Sequence, residues 1–174
     1  MNAVAECDYC KLIERGNLIF DDKNVVVAIS PSQAGLGHVL VIPKEHFTIL
    51  EQIPDFIAGH MFSIANNIST AIFETLRAHG TNIIIENGVS AGQRIAHFAI
   101  NVVPRSENDG LGFNWLPKRL SDDEMSTSEL QLKEHAKNIG AFEKEKKTIT
   151  FDEKQESIPD SDEDYTLRQL RRIP

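Results

Sequence analysis

The chain has 174 residues, 41% of them hydrophobic, and a net charge of −8. That length fits one domain with an appendage. No apolar run reaches the roughly 18 residues a membrane helix needs, and the negative balance argues against a nucleic-acid-binding surface. Residues 1–9 carry neither a basic stretch nor a long apolar one, so no secretory leader and a cytoplasmic location are expected.

Residues 8–14 can form one or two helical turns. Leu18 to Phe20 and Val25 to Ile29 flank a turn-like Asp21-Asp22-Lys23-Asn24, which predicts a β-hairpin. Pro31 to Gly37 reads as a loop, and His38 to Ile42 as a third strand stopped by Pro43. Pro54 suits a first helical position. Ile57, Met61, Ile64, Ile68, Ile72 and Leu76 recur at helical spacing, and Gly80 is a plausible stop. Asn82 to Glu86 predicts a fourth strand, Gly88 to Gly92 a loop, and Ile95 to Val103 a fifth strand. Ser121 to Asn138 predicts a more polar helix. Two hairpin-like pairs with one long helix between them predict an α+β domain built on an antiparallel sheet.

The C-terminal third is charged. Residues 121–174 hold 14 of the 26 acidic and 9 of the 18 basic side chains. An acidic cluster, Asp160 to Asp164, precedes a basic, leucine-containing end. Two readings stand side by side: a solvated tail, or a peptide that docks on its own or a neighbouring subunit through Tyr165, Leu167, Leu170 and Ile173.

Cys7-Asp8-Tyr9-Cys10 is a Cys-x-x-Cys pair, which by itself is redox-active, metal-binding or accidental. A thioredoxin-like pair normally follows a strand, and this one lies at the start of the chain. With two cysteines in total, a zinc site needs two further ligands, most simply histidines. His60, His79 and His135 sit on predicted helices or at their ends and read as surface or packing residues.

Gly92-Gln93-Arg94-Ile95-Ala96-His97-Phe98-Ala99-Ile100-Asn101-Val102-Val103-Pro104-Arg105 resembles the signature of the histidine triad (HIT) family. There, three histidines alternate with apolar residues before Pro-Arg. Gly37-His38-Val39-Leu40-Val41-Ile42-Pro43-Lys44 resembles a second family segment, and the likeness spans about residues 5–116, including Asn108-Asp109-Gly110 and Trp115. It implies a HIT-like fold: a five-stranded antiparallel sheet, one long helix and a shorter N-terminal helix. A domain over 1–118 and a C-terminal extension over 119–174 are expected, the extension helical over about 121–138 and then an acidic, disordered tail.

The resemblance also implies roles. His46 of Pro43-Lys44-Glu45-His46 and the first triad histidine, His97, would complete a closed, structural zinc site with Cys7 and Cys10. Ala99 stands where the family has its covalent nucleophile and Asn101 where it has the third histidine. Alanine has no nucleophile, and asparagine does not shuttle protons near neutral pH. In a strand, Ile95, His97, Ala99, Asn101 and Val103 share one face, the pocket side, and the apolar Ala96, Phe98, Ile100 and Val102 the other. His38 is either a catalytic-site residue or a buried hydrogen-bonding one. Asn87 and Gln93 resemble the phosphate-approaching loop, and Arg94 adds a positive charge or points into water. Ala28 replaces the family's ribose-gripping aspartate. A flat ring is expected to sit against Leu18, Ile19, Phe20 and Ile29.

Three functions follow: a HIT-like protein without the nucleophile that binds a nucleotide or other flat heterocycle; a hydrolase with changed, non-covalent chemistry centred on His38 and Asn101, on a heterocyclic substrate such as a folate derivative; or a standard nucleotide hydrolase or transferase. The family commonly forms two-fold dimers, so a homodimer is expected.

Overall fold

The computed structural model describes residues 7–136. The tail from 137 onward, with the docking segment around Tyr165 to Ile173, lies outside them. Among the described residues no helix is long and apolar enough to cross a membrane.

The elements in chain order are α1 (Asp8–Glu14), β1 (Phe20–Asp21), β2 (Val25–Ile29), β3 (Val39–Pro43), α2 (Asp55–Leu76), β4 (Gly80–Ile84), β5 (Ile100–Arg105) and α3 (Asp122–His135). The sheet runs β1-β2-β3-β5-β4, every pair antiparallel. Helix α2 carries the chain from the centre of the sheet to its edge, and β5 returns to fill the gap. This is the α+β architecture expected, with its long helix and short N-terminal helix.

Alternation along the central strands builds two cores. Val25, Val27, Val39, Val41, Ile100 and Val102 face α2, where Ile57, Met61, Ile64, Ala65 and Ile72 meet them. On the opposite face Val26, Leu40 and Ile42 are covered by Tyr9, Leu12, Ile13 and Leu18 from α1 and its exit. Burial on both faces accounts for the unbroken Val25-Val26-Val27-Ala28 run in β2.

Several boundaries shift. Pro54 caps α2 rather than opening it, and the helix stops at Arg77, which takes the left-handed conformation (φ 54°). Gly80, expected as the stop, instead opens β4. Regular pairing of β5 begins at Ile100 rather than Ile95, because Phe98 N–H bonds Phe47 C=O (2.7 Å) instead of a neighbouring strand. Gly37 lies at φ +84°, and a Cβ there would collide with the Leu76 side chain. That close approach locks the turn before His38 against the end of α2.

Ser121 and Glu124 form a reciprocal capping box at the start of α3. No residue of α3 is buried, so that helix owes its place to its own cap and propensity.

Candidate functional site

The tightest chemical cluster joins three distant segments. Cys7 and Cys10 come from the start of α1, His46 from the turn after β3 and His97 from the approach to β5. Their ligand atoms all lie within 4.8 Å of one another. His97 Nδ1 is 3.4 Å from Cys7 Sγ and 3.5 Å from Cys10 Sγ, and His46 Nδ1 is 3.4 Å from Cys10 Sγ. The two imidazoles meet edge to face, 4.8 Å between centroids.

The surroundings prepare this group for a cation. His97 Nε2–H donates to Pro43 C=O (3.0 Å), which leaves the Nδ1 lone pair aimed at the sulfurs. Burial disfavours protonation of His97 and pushes its pKa down. Burial beside Cys7 pushes the Cys10 thiol up to about 11. A bound metal reverses the thiol's preference, since a coordinating thiolate loses its proton to the ion. Two sulfurs and two imidazole nitrogens converging on one point can hold a metal ion. All four expected ligands are thus brought together.

Beside this cluster opens a cleft of about 430 Å³, within the roughly 300–1,000 Å³ usual for small-molecule sites. Ile95, His97, Ala99, Asn101 and Val103 all line it, so the predicted shared face holds even where regular strand pairing has not begun. His38, Gln93 and Arg94 line it too.

His38 is 6% exposed, and both its ring nitrogens are committed. Nδ1 accepts from Ala34 N–H (3.2 Å), so the proton sits on Nε2, which donates to Asn101 Oδ1 (3.0 Å). Asn101 Nδ2 in turn donates to Ile84 C=O (3.4 Å). The pair named as the catalytic candidates forms a latch across β3, β5 and β4. With Nδ1 accepting from the Ala34 amide and Nε2 donating to Asn101, neither ring nitrogen is free to take a proton from a substrate.

The loop residues are likewise spent on the fold. Gln93 Oε1 accepts from Gly88 N–H (2.8 Å), and Nε2 donates to Thr48 C=O (2.7 Å) and Ile95 C=O (2.9 Å). Asn87 accepts from Leu50 N–H (2.9 Å) and donates to the Glu51 carboxylate. The structure gives both side chains the work of clamping the loop. Asn87 does not line the cleft. Phe20 and Ile29, expected against a flat ring, are 41% and 43% exposed and stand outside it. Ala28 is fully buried between β1 and β3.

Among the lining residues that sequence reasoning passed over are Tyr9, Glu86 and Phe113. Tyr9 had a signal, because a metal gripping Cys7 and Cys10 pins the residue between them to the centre. Phe113 had none. It is held there because Arg105 forks onto Asp109 (2.6 and 2.9 Å), reaches Leu111 C=O and lies over the Phe113 ring, 5.2 Å from its centroid. The Arg105 guanidinium holds the Asp109 carboxyl far below the usual carboxylate range.

Comparison with known proteins places this geometry. Residues 14–108 match the HIT domain family. The "Protein hit" of Bacillus subtilis is 32% identical over 128 residues, covering 71% of this chain and 86% of that protein. The adenylylsulfatase HINT3 of Arabidopsis thaliana is 34% identical over 110 residues, 61% of this chain and 55% of that protein. The crystal structure of a zinc-bound histidine triad family protein from Mycobacterium smegmatis superposes with a TM-score of 0.59 at 29% identity, covering 76% of this chain and 99% of that one.

Proposed function

The chain belongs to the HIT domain family, and on that premise we propose that it is a zinc-stabilised protein that binds a small planar ligand without nucleotidyl transfer. One observation carries the reading. Ala99 occupies the position that the family resemblance gives to the nucleophile, and the nearby imidazole of His38 has both nitrogens bonded to the protein. A covalent nucleotidyl intermediate needs a nucleophile and a group to move its proton; the cleft offers neither at these positions.

The Cys2His2 donor set favours zinc as the metal, since thiolate and imidazole in fourfold arrangement suit it. With four protein ligands the site is closed, and its role is structural. The ligand is a nucleotide or another flat heterocycle, supported by the size of the cleft and by the aromatic side chains of Tyr9 and Phe113 in its lining.

Loss of a nucleophile costs on the order of 10⁶-fold in turnover. Zinc-loaded protein, free of contaminating hydrolases, is therefore expected to release no sulfate from adenosine 5′-phosphosulfate and no ammonia from adenosine 5′-phosphoramidate above the rate without protein. Robust turnover that disappears in a His38→Ala variant of unchanged zinc content would replace this reading with that of a hydrolase using non-covalent chemistry.

A homodimer completes the proposal. Phe62 and Phe73, 45% and 57% exposed, lie eleven residues apart on α2, which is about three turns and so one face. Ile83, 44% exposed, lies on the edge strand β4. Exposed aromatic side chains on one helix face suit an interface better than water. Light scattering on a sizing column is expected to give about twice the 19.5 kDa chain mass, and Phe73→Asp to halve it. A wild-type mass of one chain would remove the dimer.

A further inference from the structure

Two opposite charges face the cleft and do not satisfy one another. Glu86, just past β4, and Arg94, after the glycine-rich loop, both line it, both are exposed, and among the described residues no ion pair joins them. Glu86 leans over the loop: a Cβ built on Gly92 would stand 3.4 Å from its Oε1. Arg94 makes no hydrogen bond to the described residues.

We infer that Glu86 and Arg94 select the ligand: a planar heterocycle with two adjacent N–H donors on one edge, of the 2-amino-4-oxo type, that also carries an anionic group. The inference rests on the ligand-binding reading above and names its chemical class. A carboxylate accepts two parallel hydrogen bonds at once, and such a ring offers a ring N–H beside an exocyclic amino group. Adenine presents a ring acceptor beside its amino group, which turns a lone pair toward the carboxylate. A guanidinium matches a phosphate or carboxylate through its fork of donors. Ala99 keeps the floor beneath the ring small, and the Tyr9 and Phe113 rings supply flat apolar surface. The class has two sources, guanine nucleotides and carboxylated pterins, and both present the same pair of features.

Titration calorimetry on the full, zinc-loaded chain separates the cases with four probes: GMP, AMP, pterin-6-carboxylate and unsubstituted pterin. GMP is expected to bind at least tenfold more tightly than AMP, or pterin-6-carboxylate tenfold more tightly than pterin. Whichever pair responds identifies the source. Glu86→Gln should weaken the preferred probe about tenfold. Arg94→Gln should weaken the anionic probes by a similar factor and leave pterin unchanged. Both side chains are exposed, and unchanged melting temperatures will verify folding of the variants. Equal binding of GMP and AMP together with equal binding of the two pterins, or indifference to both substitutions, overturns the inference while leaving a ligand-binding protein. Absence of binding by all four overturns the ligand-binding reading as well.

Discussion

Removing the metal from the folded protein is expected to lower its melting temperature by at least about 10 °C. The four ligands lie at residues 7, 10, 46 and 97, so a bound ion ties the start of α1 to the turn after β3 and the approach to β5. Helix α1 has seven residues, too few to persist alone in water. Its remaining hold on the sheet is the contact of Tyr9, Leu12 and Ile13 with Val26, Leu40 and Ile42. Without the ion, the buried Cys7 and His97 lose their shared partner. On the proposed reading that the site holds zinc, the ion contributes folding free energy directly, on the order of several kcal/mol. Each kcal/mol moves the midpoint of a domain this size by roughly 2–8 °C. The measurements are metal content of the purified protein, expected at one zinc per chain, and calorimetry before and after dialysis against a strong chelator. Protein that purifies without metal and melts at the same temperature in chelator would refute the site. Cys7→Ala should reproduce the chelated melting temperature and abolish the chelator's effect.

Phe98→Ala is expected to destabilise the protein by about 3–5 kcal/mol, the range for truncating a fully buried aromatic side chain. Phe98 is 1% exposed, among the largest fully buried side chains, and packs with Ile100 and Val102 in the core beneath α2. It is also the residue between His97 and Ala99, and its N–H is bonded to Phe47 one residue from the His46 ligand. Truncation therefore loosens the two ligating histidines together, and zinc affinity should fall along with stability. Chemical denaturation with parallel metal analysis reads both. A loss under about 1 kcal/mol, with full zinc retention, would show that this segment is held by its hydrogen bonds rather than by its core side chain.

Where a residue's role rests on spacing, the sequence is a reliable guide here. The apolar period of α2 survives in the buried Ile57, Met61, Ile64 and Ile72. The alternation through residues 97–103 sorts His97, Ala99 and Asn101 onto the cleft side and Phe98, Ile100 and Val102 into the core, whereas Ala96, expected with the second set, is exposed ahead of the regular strand. Both patterns reflect local geometry that needs no knowledge of distant partners. The cluster of Cys7, Cys10, His46 and His97 is legible as well, though through the family resemblance, since the two histidines lie far from the cysteine pair in sequence.

Hydrogen-bond capacity behaves differently. Gln93 and Asn87 read as loop groups open to an anion, yet Thr48, Ile95 and Gly88 consume the first, and Leu50 and Glu51 the second. His38 and Asn101 read as a reactive pair, and each is the other's partner. A side chain's type states how many bonds it can make, but only the folded chain states which are already made. That distinction divides what this sequence determined from what tertiary structure decided. Composition and period, acting over one or two turns, determined the α+β elements and the faces they bury. Contacts between residues tens of positions apart decided which polar groups are used up and which, Glu86 and Arg94 among them, still face an open cleft. Such pairings depend on loop paths, where no periodic signal runs through the sequence.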